Sequence, residues 1–172
     1  MGWYARRMTT PELSSQTDEH ADLWLTPGEL DSWLSIVRLI TRLPWAIDGQ
    51  LQRDADLSMI EYMTMAMLAE SAQRTMRMSD LAERTSASLS RLSHLVKRLE
   101  SRGYVRREPD PTDGRFTNAI LLPAGMRKLE EAAPNHVAFV RHLVIDNLSA
   151  ERLRRLGQDA ERIVRRTDSP TR

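Results

Sequence analysis

The stretch from Met78 to Arg115 constrains this chain most, because four local signals follow one another in a fixed order. A short helix signal, Ser79-Asp-Leu-Ala-Glu-Arg-Thr85, precedes a break of small residues, Ser86-Ala-Ser88. A second helix is expected from about Leu89 to Arg102, stopping at Gly103, a residue suited to the left-handed position past a helix end. Then come Tyr104-Val-Arg-Arg, a turn at Pro109-Asp-Pro-Thr-Asp-Gly114, Arg115, and a second extended run from Phe116 to Leu122. Helix, turn, helix and a hairpin with a basic tip is the order of a winged helix-turn-helix, whose second helix enters the DNA major groove.

The spacing inside the segment carries physical content. Leu89, Leu92, Leu95, Val96 and Leu99 recur at three- and four-residue steps and are expected to form one apolar face. Ser90, Arg91, Ser93, His94, Lys97 and Arg98 fall on the other side. Ser88 is a suitable N-cap, since its hydroxyl can accept from an amide of the first turn. In the first helix Leu81 and Ala82 should face inward, leaving Asp80 and Glu83 to solvent. An ordinary amphipathic hairpin with a solvated polar face would share this spacing. Charge argues against it: residues 88–107 hold six cations and one anion, a local +5 in a chain of net +1. Positive charge gathers where a phosphate backbone would lie.

Leu81-Ala-Glu-Arg, Arg-Leu-Glu-Ser-Arg-Gly103, Tyr-Val-Arg-Arg-Glu-Pro109 and Asp113-Gly-Arg115 together resemble the MarR family of bacterial transcription regulators. The likeness extends to Leu57-Ser-Met-Ile-Glu-Tyr62, Leu121-Leu-Pro-Ala-Gly125 and Ala132-Ala-Pro-Asn-His-Val137, and spans roughly residues 30 to 166. It implies a homodimer, with winged domains below intertwined terminal helices. It also implies a small aromatic or phenolic effector, for which Trp33, Trp45, Met59, Tyr62 and Met63 could line a space opened by Pro44. The plainer alternative makes these residues packed core, as Met-rich stripes usually are. Three departures stand out. Gly114 replaces a second wing arginine, leaving Arg115 as the tip's only cation. Leu122 replaces a threonine at the next helix start, where Pro123 suits the first turn. The turn Thr85-Ser86-Ala87 lacks a glycine.

Beyond this segment the expected fold is mainly α, with a small β-hairpin wing and terminal dimerisation helices. Residues 1–27 read as a flexible arm, 28–56 as a dimerisation helix with Pro44 kinking or splitting it, and 57–122 as the DNA-binding domain. Residues 123–166 read as C-terminal dimerisation helices, from Ala124 to Asn147 with a kink at Pro134 and then from a Ser149 cap, and 167–172 as a tail. The terminal helices carry more apolar surface than one winged domain needs, which a second copy would bury.

Among 172 residues there is no cysteine, which excludes disulfides and thiolate chemistry. Charged residues interrupt every apolar run before membrane-spanning length, and Arg6 and Arg7 precede no secretory apolar region; a cytoplasmic location is expected. His20, His94, His136 and His142 show no metal-ligand spacing, and no nucleophile has an oriented base. No catalytic site, metal or cofactor is expected.

The expected function is a dimeric transcriptional regulator, a repressor of palindromic operators released by a small molecule. Ser88 caps the recognition helix and touches phosphate. Ser90, Arg91, Ser93 and His94 face base edges, with Arg91 suited to guanine. Arg98, Arg106 and Arg107 position the backbone. Arg115, oriented by Asp113, enters the minor groove. The rival from another class is a winged module that binds protein rather than double-stranded DNA.

Overall fold

The structure, a computed structural model, describes residues 24–167. Most of the expected N-terminal arm and the end of the tail therefore lie outside the described residues. The chain divides into two compact units, residues 1–46 and 47–172.

Helix α1, Pro27–Ala55, starts in the first unit. Glu29 Oε2 accepts from the Thr26 amide at 2.8 Å, and Thr26 Oγ1 accepts from the Glu29 amide at 3.3 Å. This reciprocal box satisfies two donors that a helix start otherwise orphans. Pro44 lies inside α1 without ending it, although it removes one helical hydrogen bond. Of the two expected outcomes, a kink or a split, the split does not occur. Trp33, Ile36, Leu39, Ile40 and Trp45 are exposed along this part of the helix.

The second unit contains the end of α1, then α2 (Met59–Glu70), a 3-10 turn (Ala72–Arg74) and strand β1 (Thr75–Arg77). It continues with α3 (Met78–Arg84), α4 (Leu89–Ser101), β2 (Val105–Pro109), β3 (Thr117–Leu121), α5 (Pro123–Leu143), a second 3-10 turn (Ile145–Asn147) and α6 (Ala150–Thr167). The mainly helical winged helix-turn-helix is thus present.

Its three strands form an antiparallel sheet in the order β1-β3-β2, with Val105 opposite Leu121 and Thr75 opposite Ile120. Strand β1 was not expected, since three residues are too few to display an alternating pattern. The long helix expected to reach Asn147 ends at Leu143, where the chain tightens into the 3-10 turn. Pro134 sits inside α5 without breaking it, and Pro123 occupies the first turn after Leu122, which supplies no side-chain cap.

One core joins α2, α3, α4 and the sheet through Leu57, Met65, Leu68, Leu81, Leu92, Val96, Leu99 and Val105, each at most 1% exposed. Ser58 and Glu61 form a capping box at the start of α2, and Asp48 Oδ1 accepts from the Met59 amide at 2.7 Å. Thr64 Oγ1 is buried without a hydrogen-bond partner among the described residues. By contrast, α6 has no buried residue, and Leu156, Ile163 and Val164 stand exposed on it.

At Gly125 the backbone of α5 packs tightly against Tyr104 and Leu121. A β-carbon there would lie 2.4 Å from the Tyr104 carbonyl oxygen and 2.7 Å from Leu121 Cδ1, so backbone would have to shift. Gly125→Ala should cost about 1–3 kcal/mol in urea unfolding, the usual range for overpacking. Gly157→Ala, where an added carbon meets nothing within 4 Å, should gain up to about 1 kcal/mol from helix propensity. Equal effects at both sites would contradict this packing.

Candidate nucleic-acid interface

The orientation of α4 follows from its apolar residues. Leu92, Leu95, Val96 and Leu99 are 0–7% exposed in the core, which fixes the helix's rotation. Ser88 precedes it in an extended conformation, and its Oγ accepts from the Arg91 amide at 3.3 Å, as the N-cap expectation requires. With that face inward, Ser90, Arg91, His94, Lys97 and Arg98 are exposed, while Ser93 is half-buried. Arg91 and Lys97 make no ion pair among the described residues.

One expectation fails. Leu89 is 56% exposed rather than part of the apolar face. It occupies the first helical position, about 70° round the helix from the centre of the buried stripe, where the core covers it only in part.

The glycine-free turn before α4 closes through Ser86, which takes φ 50°, a left-handed conformation disfavoured for a side-chain-bearing residue. Ala87 N then donates to Ala82 O at 3.0 Å, closing the two helices together. Gly103 occupies the same region after α4, with φ 70°.

Several arginines are held by carboxylates. Arg98 Nη2 lies 3.3 Å from Glu61 Oε1, linking α4 to the capped start of α2. Arg107 pairs with Glu100 at 2.6 Å and donates to Ser93 Oγ at 3.3 Å, bracing β2 against α4. Arg106 pairs with Glu108, and Arg102 with Asp56.

The wing turns on Asp110, whose side chain is 8% exposed. Its Oδ1 accepts from the Thr112 hydroxyl and amide at 2.6 and 2.9 Å and from the Asp113 amide at 3.3 Å. Its Oδ2 accepts from Arg77 Nε at 2.9 Å and Asn118 Nδ2 at 3.4 Å. The Arg77 guanidinium also lies over the Phe116 ring, 4.6 Å from its centroid. Hydrogen bonds from Thr112, then from Arg77, hold the Asp110 carboxyl well below the usual carboxylate range. At the tip, Asp113 receives Arg115 Nε at 2.9 Å and Nη2 at 2.6 Å, yet the Arg115 side chain stays 85% exposed. This pair lowers the Asp113 carboxyl and raises the Arg115 guanidinium.

Sequence reasoning missed Arg77, Asp110, Glu61 and Glu100. Asp110, between two prolines in a turn, carried an Asx-turn signal. Arg77, 33 residues before it, carried none.

The residues expected to line an effector space fall in both units, Trp33 and Trp45 in the first and Met59, Tyr62 and Met63 in the second. Within the second unit, Tyr62 packs on His136 with ring centroids 4.6 Å apart. His136 Nδ1 lies 3.2 Å from Gln50 Oε1, so this nitrogen is the donor. Burial raises the Tyr62 phenol and lowers the His136 imidazole.

These features define a winged helix-turn-helix with a solvent-facing cationic helix. The MarR family model matches residues 55–115. A MarR family transcriptional regulator from Streptomyces coelicolor, crystallised in complex with DNA, shares 42% identity over 86% of this chain and 96% of its own, with a TM-score of 0.81. AbsC, another such regulator from that organism, shares 36% identity over 84% of this chain and 97% of its own, at TM-score 0.80. BldR from Sulfolobus solfataricus shares the fold at 22% identity, over 83% of this chain and 99% of its own, with TM-score 0.71. Comparison with curated protein sequences finds no match. The chain belongs to the MarR family of transcriptional regulators.

The Asp110 cluster gives a test through pH. Its carboxyl binds protons less readily in the folded chain than in the unfolded one, so its stabilisation is complete above about pH 4 and is lost as pH falls below that. Asp110→Ala should therefore start less stable at pH 5 and show a shallower acid loss of stability than the parent, by thermal unfolding, as pH falls from 4 towards 2. Parallel curves would contradict the cluster's role.

Proposed function

We propose that this chain is a homodimeric repressor of palindromic operators, released by a small-molecule effector. The observation that carries the DNA-binding part is the outward face of α4. It presents Arg91 and Lys97, unpaired among the described residues, beside the hydrogen-bonding side chains Ser90 and His94, while the apolar face locks the helix in place. The relative crystallised with DNA, at 42% identity, supports the same partner.

The residues take the following roles. Ser88 caps α4 and lies at phosphate height. Ser90, Arg91 and His94 face base edges, and Ser93 reaches them from the flank while receiving Arg107. Arg98 and Arg106, exposed beside their carboxylates, contact phosphates, because such surface pairs are weak enough to yield. Arg107 acts mainly as a brace, with Glu100, for the helix and strand that meet the backbone. Arg115, oriented by its pair with Asp113, enters the minor groove.

The homodimer is supported by exposed apolar surface on α6 and on the first unit. Two-fold symmetry then sets two recognition helices about one DNA turn apart, matching a palindrome. Release by an aromatic or phenolic effector is the finest part of the proposal. In the second unit it rests on the half-buried Tyr62–His136 pair and on Met59 and Met63 beside it in sequence.

Sequencing the DNA that the protein retains from its own genome tests the reading. A palindromic motif is expected. On that motif, Arg91→Ala should cost roughly 1–3 kcal/mol and relax preference at one position per half-site. Equal losses on motif and random DNA would make Arg91 a phosphate contact. Retention without any motif would leave only non-specific or protein binding.

A further inference from the structure

Leu89 is out of place for an ordinary helix residue. The other apolar side chains of α4 are 0–7% exposed, whereas Leu89 is 56% exposed at the first helical position. That first turn is the part of a recognition helix that reaches base edges. Its neighbours along the surface, Ser88, Ser90 and Ser93, are short, so the isobutyl group stands above them. On the wing side a cleft of about 350 Å³ opens between Leu89, Ser93, Arg115 and Phe116.

We infer that Leu89 reads a thymine in each half-site by packing its methyl groups against the base's C5-methyl in the major groove. This rests on the proposal that α4 binds operator DNA. Thymine alone of the four bases presents an apolar group in that groove, and side chains recognise it by apolar contact. Ser90 and His94 can each donate or accept a hydrogen bond, whereas Arg91 only donates. Leu89 is thus the one apolar side chain of the first turn left facing outward. In the free protein it contributes little core burial, so its cost in exposed apolar surface is offset only when a partner covers it.

The test uses the full-length protein and the operator recovered from its genome, with each thymine replaced in turn by deoxyuridine, which lacks only the methyl. At one thymine per half-site the parent should lose about fourfold in affinity, the equivalent of one buried methyl group at about 0.8 kcal/mol. Leu89→Ala should lose a similar factor on the thymine operator, no more on the uracil one, and keep its melting temperature. Leu89→Met, which preserves apolar reach, should remain sensitive to uracil. A full uracil penalty persisting in Leu89→Ala, or no thymine whose methyl matters, would overturn the assignment of Leu89 alone. A parent that retains no preferred sequence would overturn the operator reading beneath it, and that outcome appears before any uracil is introduced.

Discussion

The interaction on which the rest depends is the burial of the Leu92, Leu95, Val96 and Leu99 stripe. Full burial of one such side chain is worth about 1.5–3 kcal/mol, so four of them hold α4 against rotation about its axis. A turn of 100° would bring polar residues inward and expose the leucines. Everything functional on this helix therefore inherits its direction from four residues that a partner would never touch. Ser88 fixes where the helix begins, and Ser86 accepts a left-handed backbone to deliver the chain to it. The cost of that conformation is of order 1 kcal/mol, small beside the packing it permits.

Charge on this surface is set by pairing as much as by composition. Of the six cations between residues 88 and 107, Arg98, Arg102, Arg106 and Arg107 face carboxylates, leaving Arg91 and Lys97 unpaired among the described residues. The two groups differ in chemistry. A paired, half-buried arginine such as Arg107 holds elements together, whereas an unpaired exposed one waits for an anion. In the wing Arg77 and Arg115 are both paired. Asp110 gathers Thr112, Asp113 and Arg77 at its base, and Asp113 holds the exposed Arg115 guanidinium at its tip. A hairpin tip buries little, so these hydrogen bonds order it where packing cannot.

Much of this was legible in the sequence because it is local. The cap at Ser88, the stop at Gly103, the hairpin around Asp113 and the amphipathic period of α4 all act within a few residues. What escaped was non-local or too short. β1 is a three-residue strand whose identity comes from pairing with β3. The Arg77–Asp110 and Arg98–Glu61 pairs join residues 33 and 37 apart, so no spacing rule announces them. Leu89 was misplaced for a subtler reason: it keeps the three-residue step to Leu92, but at the helix start the core covers that edge only in part. Periodicity shows which residues share a side; it does not show where the cover ends.

The central claim is that the outward face of α4 lies in a major groove while the wing tip lies in a neighbouring minor groove. The absence of cysteine makes this directly measurable, since one introduced thiol is unique. An iron chelate that cleaves nearby DNA would be tethered at Ser90→Cys in one preparation and at Thr112→Cys in another, each bound to the operator. The account predicts cleavage centred within each half-site from position 90, and cleavage displaced to the flanking minor groove from position 112, repeated symmetrically about the dyad. Identical patterns from the two positions, or cleavage from position 112 alone, would contradict it.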